Sequence, residues 1–150
     1  RITRLFSFPG LPDFIFVLTD NALFLGDLKN RNWNMLYKNT GENLTSFAVD
    51  PQDPNHWLLG SQKGVLETDS AGKTWLPSKL FPQHRPVAAL LFVPQGVFLA
   101  DDHTLYFCSP QGAVRPIFQL PEDPSTLRSL RTTPMKLRAV MILSIKILCN

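Results

Sequence analysis

Gly72-Lys73-Thr74 is the tail of a phosphate-binding loop, in which a lysine meets the phosphates and glycine-rich backbone N–H groups cradle them. The full pattern requires another glycine five residues before Gly72, and Glu67 stands there. A carboxylate at that point repels phosphate. Trp75-Leu76-Pro77 then follows where the pattern needs a helix. These residues argue against nucleotide binding and leave the segment to be explained by its place in the fold.

Other reactive side chains are sparse. Cleaving a glycosidic bond takes two carboxylates flanking that bond. Asp101 and Asp102 are adjacent, so their side chains diverge in extended chain. Asp50 and Asp53 sit in a proline-rich turn, where capping backbone N–H groups is the expected role. Glu67 and Asp69 alternate along a strand and are expected to form a solvated face. Tyr37 is expected on an outer strand and Tyr106 beside a turn, which places neither as a nucleophile. His56, His84 and His103 read as isolated loop residues without metal-ligand spacing. Cys108 and Cys149 fit neither a C-x-x-C pair nor a zinc pattern. No catalytic, cofactor-binding or metal residue is assigned, and no cofactor is expected.

The elements that position these residues repeat along the chain. "ITRLFSFP" (2–9), "LTSFAVDP" (44–51), "VAALLFVP" (87–94) and the more polar "LRSLRTTP" (127–134) are strand-prone runs ending in proline. Pro9, Pro51, Pro94 and Pro134 are 42, 43 and 40 residues apart. Behind the first three prolines come two further apolar runs each: 13–20 and 22–27, 55–62 and 64–69, 95–102 and 104–109. Each unit then enters a polar turn and leaves through 32–37, 74–79 or 114–119. Four short strands per unit of about 40 residues is the signature of a β-propeller blade. The expected fold is all-β: a partial β-propeller of four-stranded antiparallel blades. Blade 1 is expected over 1–43, blade 2 over 44–86 and blade 3 over 87–126, with an incomplete blade 4 over 127–150.

Composition agrees. Of 150 residues, 44% are hydrophobic and 18% charged, which suits a folded chain, and 13 prolines disfavour long helices. The net charge of +3 is mild and its basic residues are scattered, unlike the clustered patch of a nucleic-acid binder. The apolar run in 135–150 is broken by Lys146 and falls short of the ~20 residues of a membrane-spanning helix.

The stretch "TDSAGKTW" (68–75) resembles the Asp-box, or BNR repeat, of sialidase-like propellers. Thr68, Gly72, Thr74 and Trp75 fall on fixed positions of that pattern, and Ser70 stands in the aspartate position. The register returns over 26–33, where Trp33 is kept and Asn30 takes the glycine place, and over 108–115, where Gly112 is kept. A short polar side chain in such a turn can bond nearby backbone N–H groups, and Gly or Asn tolerates positive φ. The tryptophan is expected to cover the gap between neighbouring sheets. The resemblance makes Thr68, Ser70, Gly72, Thr74, Trp75, Trp33 and Gly112 a structural turn motif. The wider context "VDPQDPNHWLLGSQKGVLETDSAGKTW" (49–75) looks like the photosystem II stability/assembly-factor type of propeller. It is similar also to repeats of xyloglucanase-type glycoside hydrolases and sortilin-type receptors.

These expectations point to a non-enzymatic binding or assembly scaffold that works through loops at the propeller faces. The alternative is a fragment of a glycan-hydrolysing propeller. The expected partner is a protein or a glycan, with neither nucleic acid nor a membrane span. Three blades and part of a fourth do not close a ring, so remaining blades of a longer parent chain, or self-association, are also expected. The resemblance implies an extracytoplasmic location.

Overall fold

The computed structural model describes residues 1–79, 81 and 85–120. The chain divides into two units, Arg1–Phe118 and Gln119–Asn150, and only Gln119 and Leu120 of the second are described. The expected incomplete fourth blade, 127–150, lies outside the described residues.

Twelve strands and no helix are found among the described residues. Sheet 1 contains β1 (Ile2–Phe6), β2 (Phe14–Thr19), β3 (Ala22–Asp27) and β4 (Asn32–Lys38). Sheet 2 contains β5 (Leu44–Val49), β6 (Trp57–Ser61), β7 (Gly64–Thr68) and β8 (Leu76–Pro77). Sheet 3 contains β9 (Ala89–Val93), β10 (Gly96–Ala100), β11 (Thr104–Cys108) and β12 (Val114–Gln119). Within each sheet the strands lie side by side in chain order. The turns explain this, because two-residue connections such as Asp20-Asn21 and Gln62-Lys63 fold a strand back on its predecessor. β8 is only two residues long, and its Pro77 has no N–H to give to the ladder.

Side chains on a strand alternate between faces, and residues paired across strands share a face. In sheet 2 one row is Phe47, Leu59, Leu66 and Pro77, and the opposite row is Ala48, Leu58, Glu67 and Leu76. Phe47, Leu59 and Trp57 join Phe16, Leu18 and Leu23 of sheet 1 in one buried cluster. Ala48, Leu58 and Val65 join Leu90, Val97 and Leu99 of sheet 3 in another. Sheet 2 is thus covered on both sides, and β6 is buried at every position. Each fully buried Leu or Phe contributes about 1.5–3 kcal/mol.

The repeat persists in fine detail. Sheet 1 carries the row Leu5, Val17, Phe24 and Met35. Each of these stands 42 positions before its counterpart in the row Phe47, Leu59, Leu66 and Pro77. The first strand of both sheets also slips register at the same place, between Ile2 and Arg4 and between Leu44 and Ser46.

Candidate functional site

The turn between β7 and β8 is closed on its own side chains. Thr68 is buried, and its Oγ1 accepts from the Ser70 and Gly72 backbone N–H groups, both at 3.2 Å. The Ser70 Oγ accepts from the Thr74 N–H at 3.0 Å and lies 2.9 Å from the Thr74 Oγ1. Ala71 and Gly72 both take positive φ, +52° and +83°. The N–H groups that a phosphate would need are therefore spent inside the turn. At Gly72 a Cβ would stand 2.8 Å from the Trp57 ring, so glycine is required by space as well as by φ.

Trp75 leaves this turn and crosses to sheet 1. Its Nε1 donates to the Leu36 carbonyl oxygen at 3.3 Å, and its ring meets Tyr37 with 5.7 Å between centroids. Trp33, 42 residues earlier, is 56% exposed and lies over Gly26 of its own sheet. The turn between β3 and β4 is also built differently. Asp27 Oδ1 accepts from the Lys29 and Asn30 N–H groups at 3.0 and 2.9 Å, and Oδ2 accepts from Asn30 Nδ2 at 2.7 Å. Backbone and side-chain hydrogen bonds from Asn30 hold the Asp27 carboxyl below its ordinary value. Positive φ falls on Arg31, not on Asn30 as its place in the motif implied, because Asn30 is held by Asp27. In the turn between β11 and β12, Gly112 takes φ of +86° and donates to the Ser109 carbonyl oxygen at 2.9 Å, while Ser109 Oγ accepts from Ala113 N–H.

Two readings of the charged residues are corrected by the geometry. His56 is not isolated: its Nδ1 lies 3.2 Å from Asp50 Oδ2, and its Nε2 2.9 Å from Glu67 Oε1 and 3.8 Å from Asp69 Oδ1. Glu67 is not part of a solvated face, being three-quarters buried against that imidazole. The hairpin register is the cause. Trp57 pairs with Thr68 and Leu58 with Glu67, which sets the residue before Trp57 beside the two carboxylates. The Phe92 ring of sheet 3 packs edge-on against His56 at 5.3 Å. Burial opposes the charged imidazole, but hydrogen bonds to Asp50 and Glu67 and the charges of Glu67 and Asp69 outweigh it and raise the pKa above 6.5. Both ring nitrogens meet carboxylate oxygens, the arrangement of a doubly protonated ring bridging two anions. His56, Glu67 and Asp69 are the described residues that could hold a metal ion, which would have to take the place of the Nε2 proton. Hairpin arithmetic across Gln62-Lys63 is the signal that could have found this cluster from sequence.

Asp50, Asp53 and Asp101 also cap backbone N–H groups. Asp50 Oδ1 and Asp53 Oδ1 accept from the Gln52 and Asn55 N–H groups. Asp101 Oδ1 accepts from the His103 and Thr104 N–H groups, and its Oδ2 accepts from the Tyr106 hydroxyl, which also accepts from Arg85. Desolvation opposes the Asp101 charge, yet these bonds and the Arg85 cation hold its carboxyl below the ordinary value. His84 and Cys149 lie outside the described residues.

At the opposite end of sheets 1 and 2, the turns 20–21, 39–43 and 62–63 frame an open cleft of about 380 Å³. It is lined by Asn21, Asn39, Thr40, Glu42, Asn43 and Gln62, with Gly41 between them. Glu42 is engaged by Lys63 at 2.8 Å and by the Ser61 hydroxyl at 3.2 Å. The wall is therefore amide, hydroxyl and one paired carboxylate. Sequence reasoning missed it because its residues come from three separate turns. No helix among the described residues is long and apolar enough to cross a membrane.

No family model matches the sequence. No curated protein matches it. Among solved structures the chain is similar to an ancestral GH74 enzyme, at 18% identity and a TM-score of 0.60, over 83% of this chain and 19% of the enzyme. It also overlaps the core factor of S. cerevisiae at 13% identity and a TM-score of 0.45, over 79% of this chain and 23% of that one, a likeness too weak to argue from. The chain thus spans about a fifth of the GH74 enzyme's length. At this identity the similarity speaks to architecture, and with three successive four-stranded antiparallel sheets it makes the fold that of a partial β-propeller.

Proposed function

We propose that the chain is a non-enzymatic binding or assembly scaffold built from Asp-box-type propeller repeats, working through the loops at one face. The observation that carries this reading is the cleft at 39–43, whose single carboxylate, Glu42, is paired with Lys63. Amides and a hydroxyl suit a neutral polar ligand such as a glycan, or the polar backbone of a protein segment. Glycoside hydrolysis needs two carboxylates about 5–10 Å apart, and the cleft lining holds one. The Asp-box reading draws support from the oxygens of Thr68 and Ser70, which collect the turn's N–H groups as a polar side chain in that motif would. On this reading the blades span 1–43, 44–86 and 87–126, with 127–150 opening a fourth.

The GH74 neighbour favours a second reading, a piece of a glycan-hydrolysing propeller. Calorimetric titration with β-glucan oligosaccharides and sialosides, alongside a reducing-end assay, separates the two. The scaffold reading expects heat of binding that weakens on Asn43→Ala, without release of reducing ends. Release that Glu42→Gln abolishes would replace it with the second reading.

A further inference from the structure

Sheet 2 carries at one end a side-chain cluster that the other two sheets lack. His56 Nε2 lies 2.9 Å from Glu67 Oε1 and 3.8 Å from Asp69 Oδ1, and the three donor atoms fall within 4.8 Å of one another. Asp50 Oδ2 lies 3.2 Å from the other ring nitrogen. The residues 42 positions before His56, Glu67 and Asp69 are Phe14, Leu25 and Asp27, and those 40 positions after are Gly96, Phe107 and Ser109. Sheets 1 and 3 nevertheless form the same hairpin in the same register, with Phe16 opposite Leu25 and Phe98 opposite Phe107 where Leu58 faces Glu67. The fold of a blade therefore does not call for an imidazole among carboxylates.

The spacing of the donors suits a metal ion. A divalent transition ion takes histidine nitrogen and carboxylate oxygen at about 2.0–2.2 Å, which in a tetrahedron sets the donors about 3.4 Å apart. The two distances from Nε2 lie on either side of that value. Asp69 is 81% exposed, so its carboxylate is free to swing the remaining fraction of an ångström. The imidazole is already fixed. Phe92 packs edge-on against it, and Asp50, on its Nδ1, is held in turn by the Gln52 N–H and by its own N–H bond to the His56 carbonyl. Metal-bound histidines are oriented in this way, by a carboxylate on the nitrogen that does not bind the ion. Charge points in the same direction. Among the described residues no lysine or arginine pairs with Asp50, Glu67 or Asp69, so a single ring answers three carboxylates.

We propose that His56 Nε2, Glu67 and Asp69 bind a divalent transition-metal ion of the Zn2+ class, with Asp50 as a positioning residue behind the imidazole. The ion takes the place of the Nε2 proton, which leaves to solvent. One nitrogen beside two oxygens selects Zn2+, Co2+ or Ni2+ over Mg2+ and Ca2+, which prefer oxygen alone. Such an ion ties the loop before β6 to the end of β7 and to the turn that follows it. The site is at the end of sheet 2 away from the polar cleft, and the proposal does not depend on what that cleft binds.

Calorimetric titration of the chelator-treated full chain with zinc chloride, and separately with magnesium chloride, tests it. One Zn2+ per chain is expected, with no comparable binding of Mg2+. Asp50→Asn is expected to weaken Zn2+ binding by about 10–100-fold, and Asp69→Asn by at least as much, each with an unchanged circular dichroism spectrum. His103→Gln is expected to leave the binding as it was. Zn2+ is also expected to raise the urea midpoint of the wild type but not that of Asp69→Asn. Cysteine binds zinc too, so Co2+ is titrated in parallel, and its bound spectrum is expected to lack thiolate charge-transfer absorption. A wild type that binds no Zn2+ overturns the proposal. So does Zn2+ binding that Asp69→Asn and His56→Gln leave equally tight, or bound Co2+ that shows thiolate absorption, because the ion is then held elsewhere. Mg2+ binding as tight as Zn2+ overturns the assignment of the ion's class.

Discussion

The Trp75 Nε1 donates to the Leu36 carbonyl oxygen at 3.3 Å, so a side chain that leaves a turn of sheet 2 is anchored on the edge strand of sheet 1. The bond fixes an indole that also touches Tyr37 and Trp57, and it makes the turn part of the seam between sheets. Trp75→Ala removes both ring packing and the bond, and is expected to destabilise the fold by about 3 kcal/mol. Trp75→Phe keeps most of the packing and loses the donor, at about 1 kcal/mol. Urea unfolding followed by circular dichroism distinguishes the two losses.

Gly72→Ala meets two obstacles, the φ of +83° and the Trp57 ring 2.8 Å from the new methyl. A loss of about 1–3 kcal/mol is expected, against about zero for Lys73→Ala in the same turn. Equal urea midpoints for the two variants would contradict the steric argument.

His56 makes stability depend on pH with a definite sign. Its folded pKa is raised above 6.5, so its contribution is complete below that value and is lost as pH rises through the higher folded value. The stability difference between wild type and His56→Gln is therefore expected to be larger at about pH 6 than at about pH 9, measured by denaturant midpoints. A difference that grows with pH would show the imidazole to be neutral in the fold.

Cys108 is buried, and desolvation pushes its thiol up to about 11. Near neutral pH it is expected to resist alkylation until the sheet opens. Peptide mapping after iodoacetamide treatment across a urea series should show Cys108 modification rising with unfolding. Rapid labelling in native buffer would contradict its burial.

The strands were legible because each apolar run is short, bounded by Pro, Gly or Asn, and repeated at nearly constant spacing. That spacing placed Trp33 on β4, where it pairs with Gly26, and Trp75 42 residues later, just before β8. What was not legible depends on pairing or on local competition for hydrogen bonds. His56 reads as a loop residue until β6 is folded on β7 and brings Glu67 to it. Asn30 looks like the residue for positive φ until Asp27 claims its N–H and amide, and the strain moves to Arg31. The polar cleft draws on turns separated by up to 41 positions, from Asn21 to Gln62, and no local pattern announces it.

Every strand pairing within sheets 1 and 2 joins strands adjacent in the chain, which has a consequence for biosynthesis. Such local topology lets a sheet form as soon as its own residues have left the ribosome. Packing is a later event than pairing. The Phe6 and Phe16 side of sheet 1 stays wet until Phe47 and Trp57 have been translated. A nascent chain of this design therefore keeps the Phe6 and Phe16 face of its newest sheet exposed until the next sheet is made.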